Sequence, residues 1–231
     1  MIDPARLRDA LTGARELIAD AAPRSGRDAD DVEVVLAGKY IPAEESEALV
    51  DAGVRVVGEN RLQDLEAKAA ILGDRVVFDF IGHLQRRKVR RVLPLVRLIH
   101  SVDSVSLAQE IAERATEPVR CLVQVNTSGE ATKGGVPVDA LDTFVDEVSG
   151  YPTIVIGGLM TLPPKVESAG DARPYFSLLR ELRDQFAEKW SGRHDFRDLS
   201  MGTSQDFAVA VEEGATRVRI GRAMIDQAQV S

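Results

Sequence analysis

The stretch Val32-Glu33-Val34-Val35-Leu36-Ala37-Gly38-Lys39 decides the fold and also points to the chemistry. Its apolar residues predict a buried strand, and Pro42 prevents that strand from continuing. We expect the strand to carry the ammonium group of Lys39 to its end, where burying a charge is costly unless it is used. The common uses are a salt bridge, a phosphate contact or a Schiff base, because burial lowers a lysine pKa and frees the amine.

Short apolar segments alternate with amphipathic ones along the rest of the chain. Eight segments predict strands: residues 32–39, 54–60, 76–82, 97–102, 120–126, 153–160, 198–202 and 217–221. Between them, Ser104 caps one helix, Asp171 and Pro174 open another, and Gly53 closes a third. Residues 1–31 predict a lead-in with an amphipathic helix, whose apolar face carries Leu7, Ala10, Leu11, Ala14, Leu17 and Ile18.

This alternation of strand and helix implies parallel strands joined by right-handed crossovers. Eight such units close most simply into a single-domain (β/α)8 TIM barrel that takes up residues 1–231. A doubly wound open sheet is the alternative, although no Gly-x-Gly-x-x-Gly motif follows the first strand to support it.

The composition indicates which classes of partner the protein does not bind and in which cellular compartment it is expected. The net charge of −8 argues against nucleic acid and membrane surfaces as partners. Cys121 is the one cysteine and lies in an apolar run, which indicates a buried structural thiol and a reducing compartment. No uncharged stretch approaches the roughly 20 residues that span a bilayer. We therefore expect a cytoplasmic protein without a membrane or nucleic-acid partner, and we take it to be a monomer.

Polar and small residues concentrate at the strand ends, where barrels place their functional residues. The last two ends are typical of a phosphate cradle, because Ser200 and Ser204 offer hydroxyls while Gly202 and Gly221 allow close backbone approach. Residues from Thr203 onward open a helix whose free N–H groups favour an anion. The alternative is that Ser204 only caps this helix and that the glycines only form turns.

Closure of the barrel would place strand eight beside strand one, and so the phosphate beside Lys39. A phosphorylated aldehyde anchored there can place its carbonyl on the lysine amine, and pyridoxal phosphate fits this arrangement. Arg219 ends strand eight and can reach the pyridine nitrogen, where a permanent positive charge keeps that nitrogen unprotonated. The alternative for Arg219 is a salt bridge to a carboxylate such as Glu59.

The histidines and the basic run carry weaker signals. His83 follows a strand end, so it lies either near the cofactor or in a plain loop. We interpret His100 as structural and expect His194 at the surface. No histidines and carboxylates have metal-ligand spacing, so no metal is expected. The basic run at residues 86–91 predicts a solvated helix face, with an anion or an acidic partner as the alternative.

Taken in order, the strand-end motifs resemble those of the pyridoxal phosphate homeostasis family over residues 32–223. They are Gly58-Glu59-Asn60-Arg61 with Lys68, Phe80-Ile81-Gly82-His83-Leu84-Gln85, His100-Ser101-Val102-Asp103, Gln124-Val125-Asn126, Gly158-Leu159-Met160, Leu199-Ser200-Met201-Gly202 with Ser204, and Val218-Arg219-Ile220-Gly221. The resemblance implies a barrel similar to the N-terminal domain of alanine racemases, in which Lys39 holds pyridoxal 5′-phosphate as an internal aldimine. It also implies phosphate contacts near Ser200 and Ser204 and at the backbone of Gly221 and Arg222.

The predicted cofactor-binding set comprises Lys39, Asn60, His83, Met160, Ser200, Met201, Gly202, Ser204, Arg219, Gly221 and Arg222, with no catalytic residue. Members of the family bind and buffer the cofactor without established catalysis. The resemblance therefore implies a carrier or regulator in vitamin B6 and amino-acid homeostasis, with apo forms of pyridoxal-phosphate enzymes as recipients.

The chain departs from the family's usual pattern at several positions. Gly38 stands where serine is usual, Phe78-Asp79 where a Trp-His pair is usual, and Arg87 where asparagine is usual. Arg222 stands where threonine is usual, so that position offers charge in place of a hydroxyl.

Two enzyme classes are the alternatives to a carrier. A racemase or decarboxylase of the alanine-racemase fold would use the same cofactor, but racemization needs an acid or base on each face of the substrate carbon. The second group comes from an extra domain in racemases, and we expect none at this length. A Schiff-base aldolase without a cofactor is the third candidate.

Overall fold

The computed structural model describes residues 1–130 and 132–229. Its strands are β1 (Glu33–Ala37), β2 (Val56–Glu59), β3 (Val77–Phe80), β4 (Leu98–Val102), β5 (Val119–Asn126), β6 (Val136–Pro137), β7 (Ile154–Met160), β8 (Asp198–Thr203) and β9 (Arg217–Ile220). Its helices are α1 (Pro4–Ala21), α2 (Glu47–Asp51), α3 (Leu62–Leu72), α4 (Val89–Val92), α5 (Val105–Arg114), α6 (Leu141–Ser149), α7 (Arg173–Lys189), α8 (Phe207–Glu212) and α9 (Arg222–Ala228).

Eight of these strands form one closed parallel barrel. They pair in the order β1, β2, β3, β4, β5, β7, β8 and β9, and β9 pairs back with β1 from Glu33↔Arg217 to Leu36↔Ile220. The short strand β6, which the sequence analysis does not predict, pairs with β5. The predicted (β/α)8 barrel is confirmed and the open-sheet alternative is wrong.

Successive side chains of β1 belong to two different parts of the hydrophobic core. Val35 and Ala37 belong to a small cluster with Val56 and Ile81, whereas Leu36 belongs to the large core cluster that includes the helices. Successive side chains of a strand point to opposite faces, so Val35 and Ala37 face the barrel interior and Leu36 faces outward. A continuous apolar run is therefore required, because both faces of each strand are buried.

Helix α1 packs against α8 and α9. Asp3 caps the start of α1, and its carboxylate accepts a hydrogen bond of 2.8 Å from the N–H of Ala5. The Asp3 N–H donates to the Ala228 carbonyl at 2.9 Å, which joins the start of the chain to α9. The predicted apolar face is confirmed except at Leu17, which is exposed, while Ala21 is buried instead.

The remaining sequence expectations concern the thiol and membrane segments. Cys121 is buried on β5, and burial raises the pKa of its thiol to about 12. A buried thiol with a raised pKa is typical of a structural cysteine. Within residues 1–130 and 132–229, no helix combines the length and the apolar character needed to cross a bilayer.

Candidate functional site

Lys39 lies in a 3-10 turn, Gly38–Tyr40, at the carboxyl end of β1. The side chain is exposed, and its Nζ lies 4.9 Å from the centroid of the Tyr40 ring. The expectation of a buried amine at the end of the strand is wrong, because the strand ends at Ala37 and the turn follows it. The amine is therefore open to reagents from solution.

A buried ion pair holds the start of this turn. Lys68 Nζ donates to Glu59 Oε1 at 2.6 Å and to the carbonyl of Gly38 at 3.0 Å. A Cβ on residue 38 would collide with Glu59 Oε1 and would lie 2.9 Å from Val57 Cγ1. A side chain at residue 38 would therefore displace the Glu59 carboxylate from its present position. Burial raises the pKa of Glu59 against the opposing effect of Lys68.

Tyr40 lies between the cations of Lys39 and Arg222. The Arg222 guanidinium carbon is 5.7 Å from the Tyr40 ring centroid, and its Nη2 is 3.5 Å from Oη. Burial acts to raise the pKa of Tyr40, but the hydrogen bonds and charges of Lys39 and Arg222 outweigh it and lower the pKa. Arg222 therefore contributes positive charge beside the Lys39 turn.

Ser204 joins the loops that follow β8 and β9. Its hydroxyl oxygen accepts from the N–H groups of Gly221 and Ala223, both at 3.3 Å. Gly221 also touches the Lys39 turn, because a Cβ there would lie 2.9 Å from Ala37 Cβ and 3.1 Å from Tyr40 Cε2. The predicted convergence of Ser204, Gly221 and the end of β1 is present in the structure.

Two expectations about the loop after β8 are wrong. Helix α8 begins at Phe207 without a side-chain cap, so Ser204 does not cap it. The Thr203 N–H, expected to be free for an anion, donates to Asp206 Oδ1 at 2.6 Å. The anion position at this helix is thus taken by a carboxylate of the chain itself.

Arg219 and Ser200 meet inside the barrel. Arg219 Nη1 donates to Ser200 Oγ, and Nη2 donates to the carbonyl of Thr161 at 2.8 Å. Ser200 Oγ is also 2.8 Å from His100 Nδ1, so the hydroxyl expected at a phosphate is committed to the interior instead. Burial lowers the pKa of Arg219 to about 10, although the nearby Asp206 opposes this. The alternative salt bridge to Glu59 is wrong, since Glu59 pairs with Lys68.

Asn60 presents a polar atom without a partner. Its Oδ1 is buried and accepts no hydrogen bond within the described part of the chain. Gly82 packs on the Asn60 backbone, where a Cβ would lie 2.6 Å from Asn60 Cα. Asn60 is thus fixed in place with a free acceptor.

The other predicted residues differ in exposure. His83 is 71% exposed, with Nδ1 3.5 Å from Asp103 Oδ2. Met160 is buried in a small cluster with Leu98 and Leu122, and Met201 is buried in the main core. Gly202 has φ +90° and turns the chain from β8 towards α8.

His194 is not at the surface as expected. It is buried, with Nε2 2.8 Å from Ser149 Oγ and with Nδ1 accepting from the Ile156 N–H at 3.2 Å. Burial and then the neighbouring Arg193 lower its pKa to about 4, despite Asp195.

The predicted solvated face at residues 86–91 is confirmed, since Arg86 pairs with Glu110 and Arg91 with Glu66 on the exterior. No cluster of His, Cys, Asp and Glu suited to a metal ion occurs among the residues that the structure describes.

Sequence reasoning missed Tyr40, Thr161 and Asp79. Tyr40 and Thr161 directly follow Lys39 and Met160, so their adjacency to predicted site residues was the available signal. Asp79 lies 3.1 Å from His100 Nε2, and its signal was a carboxylate in the middle of an apolar strand.

Comparison with known proteins gives consistent relatives. Residues 40–227 match the family model for the N-terminal domain of alanine racemase. The pyridoxal phosphate homeostasis protein of Aquifex aeolicus is 41% identical, over 91% of this chain and 93% of that protein.

Two solved structures share the architecture. An unknown protein from Bifidobacterium adolescentis has a TM-score of 0.88 and 35% identity, covering 97% of both chains. PipY of Synechococcus elongatus, solved with PLP bound, has a TM-score of 0.81 and 27% identity, covering 95% of this chain and 99% of that one. The chain therefore belongs to the pyridoxal phosphate homeostasis protein family, whose barrel is that of the alanine racemase N-terminal domain.

Proposed function

We propose that this protein binds pyridoxal 5′-phosphate covalently through Lys39 and acts in the homeostasis of that cofactor. The contact of Gly221 with Ala37 and Tyr40 carries the proposal, because it brings the Lys39 turn against the loop that Ser204 bridges. The Aquifex relative is named for pyridoxal phosphate homeostasis, and PipY was solved with PLP bound, which supports the same ligand here.

The residues fit a phosphorylated pyridine aldehyde. Asn60 Oδ1 is a buried acceptor without a donor, as a phenolic hydroxyl requires. Arg219 is a buried cation that makes no ion pair within the described part of the chain, so a ring nitrogen can accept from it. When bound, the cofactor supplies an aldehyde that condenses reversibly with an amine.

Each group of the chain then has a distinct task. Lys39 provides the amine, and its exposed turn lets the cofactor enter and leave. The Ser204 hydroxyl, whose oxygen accepts from the Gly221 N–H, donates its proton to the phosphate, and Gly221 has no side chain to obstruct it. Arg222 adds charge where a hydroxyl is absent. Arg219 orients the ring, and Asn60 accepts its hydroxyl.

We also propose that the protein carries the cofactor without efficient turnover. The pKa of Arg219 is about 10, so its guanidinium stays charged at neutral pH. A permanent cation at the ring nitrogen excludes a proton from that atom and limits the electron withdrawal on which racemases and decarboxylases depend.

Titration with pyridoxal phosphate tests both parts. The purified protein should gain the absorbance of a covalently bound cofactor. Lys39→Ala should lose it, whereas Lys189→Ala, at an exposed lysine at the end of α7, which leads to the amino end of β8, should not. Absence of the absorbance change would refute binding. Sustained amino-acid racemization or decarboxylation that Lys39→Ala abolishes would refute the carrier role.

The exposed turn also supports direct transfer of the cofactor to an apo-enzyme. Release should be faster in the presence of an apo-acceptor than in its absence, measured by stopped-flow absorbance. Equal release rates under the two conditions would argue against direct transfer.

A further inference from the structure

A chain of hydrogen bonds crosses the barrel interior from Asp79 to Arg219. Asp79 Oδ2 is 3.1 Å from His100 Nε2, and His100 Nδ1 is 2.8 Å from Ser200 Oγ. Ser200 Oγ in turn contacts Arg219 Nη1. All four side chains are buried, so these bonds act in surroundings of low dielectric constant.

With a neutral imidazole at His100, only one arrangement of protons satisfies every bond. A guanidinium can only donate, so the Ser200 oxygen accepts from Arg219. Both Asp79 oxygens accept from Arg97, so the proton of a neutral His100 lies on Nε2, and the Ser200 hydroxyl donates to the unprotonated Nδ1. His100 then carries its own proton on Nε2 and donates it to Asp79. The four residues form a directed chain with a cation at one end and a carboxylate at the other.

The carboxylate end is firmly anchored. Arg97 donates to Asp79 Oδ1 at 3.1 Å through Nε and to Oδ2 at 2.8 Å through Nη2, a bidentate pair in which both carboxylate oxygens accept. Arg97 also binds Glu33 in the same manner, at 3.0 and 2.8 Å. Burial lowers the pKa of His100 against the opposing effect of Asp79, so the imidazole is neutral, as the directed chain requires.

The guanidinium end has few other restraints. Within the residues that the structure describes, Arg219 has two hydrogen-bond partners, Ser200 and the Thr161 carbonyl, and no carboxylate within ion-pair distance. The tautomer of His100 sets the direction of the Ser200 hydroxyl proton: with Nδ1 unprotonated, both lone pairs of Ser200 Oγ remain for Arg219, whereas a protonated Nδ1 takes one of them. The orientation of Arg219 therefore depends on that tautomer.

We propose that Asp79 is a positioning residue which, through His100 and Ser200, fixes the Arg219 guanidinium in the orientation that it presents to the bound ring. This inference rests on the proposed function, because the ring nitrogen is the group that Arg219 would contact. Loss of the Asp79 charge releases the His100 tautomer. Once Nδ1 is protonated, Ser200 accepts from both His100 and Arg219, and its buried hydroxyl proton has no acceptor among the described residues.

Asp79→Asn tests the proposal, with Glu33→Gln as the matched control. Both variants neutralise a carboxylate that Arg97 binds bidentately, but only Asp79 contacts His100. The tautomer of His100 is measured by ¹⁵N NMR on the cofactor-free protein, and affinity and absorption maximum are measured with pyridoxal phosphate added. We expect a single Nε2–H tautomer in the wild type and in Glu33→Gln.

In Asp79→Asn we expect a mixed tautomer, about tenfold weaker cofactor binding and a shifted absorption maximum. An unchanged tautomer, or unchanged affinity and spectrum, would overturn the proposal. Failure of the wild type itself to bind would instead refute the proposed function. If Asp79→Asn does not fold, Ser200→Ala replaces it: affinity and spectrum should change while His100 keeps its Nε2–H tautomer, and no change in either would overturn the proposal.

Discussion

The Glu59–Lys68 ion pair is the residue-scale feature on which the Lys39 turn depends. Both side chains are buried and separated by 2.6 Å. Removing one partner of a buried pair leaves an uncompensated charge, so Lys68→Met should lower the free energy of unfolding by about 3–5 kcal/mol. Urea denaturation measures this, with Lys165→Met as the exposed control, for which we expect a change within about 0.5 kcal/mol.

The double variant Glu59→Gln/Lys68→Met separates charge from packing. Without either charge, most of the stability lost in Lys68→Met should return. A double variant no more stable than Lys68→Met alone would show that the pair acts through shape and not through its charges.

His194 makes stability depend on pH. Its pKa is lowered to about 4 in the folded protein from an ordinary value of 6.5, chiefly by burial. Between these values the unfolded chain binds a proton that the folded protein does not, so stability falls as pH falls from about 6.5 towards 4. The loss is on the order of 3 kcal/mol. His194→Asn should flatten this dependence in urea denaturation at several pH values, whereas His83→Asn at an exposed site should leave it unchanged.

At the scale of elements, the turn from β8 to α8 depends on Gly202. This residue has φ +90°, and a Cβ there would lie 2.6 Å from Ala210 Cβ and 2.9 Å from Phe207 Cα. Gly192 has a similar φ of +86° but no atom within 4 Å of its Cβ position. Gly192→Ala should therefore cost only the backbone strain, about 1 kcal/mol, and Gly202→Ala about 2 kcal/mol more. Equal losses in thermal denaturation would contradict the predicted clash.

The order of strands and helices could be predicted from the sequence. The apolar runs and the cap at Ser104 are local signals, so the strand order and most helices follow from them. The sequence also places Lys39, Ser204 and Gly221 at neighbouring strand ends, because closure of a parallel barrel dictates that adjacency. The hydrogen-bond and ion-pair partners of side chains could not be predicted in this way, because they depend on contacts between segments that are distant in the sequence.

Ser200 and Ser204 illustrate this limit. Both are hydroxyl residues at one strand end, yet one faces His100 and Arg219 in the interior while the other meets the N–H groups of Gly221 and Ala223. Ser200 lies within β8, whereas Ser204 follows its end, and the register of β8 against β9 shifts between Ser200 and Thr203. The simple alternation of a strand therefore does not predict where Ser204 lies. The expectation that His194 lies at the surface fails for a similar reason. Its neighbours in the sequence are polar, and the sequence gives no sign of its contact with the distant Ile156.

For the molecule as a whole, ligand binding should stabilise the barrel at its closing seam. The proposed contacts join β1, β8 and β9, and β9 pairing with β1 closes the ring. At a cofactor concentration 100 times the dissociation constant, binding adds about 2.7 kcal/mol. This corresponds to a rise in melting temperature of roughly 5–10 °C, which calorimetry should detect. Lys39→Ala should show a smaller rise, and an equal rise would argue against the covalent bond.

Covalent attachment at Lys39 is the central claim, and borohydride reduction tests it most directly. The protein would be incubated with pyridoxal phosphate, reduced, digested and mapped by mass spectrometry. We predict a pyridoxyl-phosphate adduct on the peptide that contains Lys39 and none on peptides that contain the exposed Lys165. An unmodified Lys39 in the presence of excess pyridoxal phosphate would contradict the account.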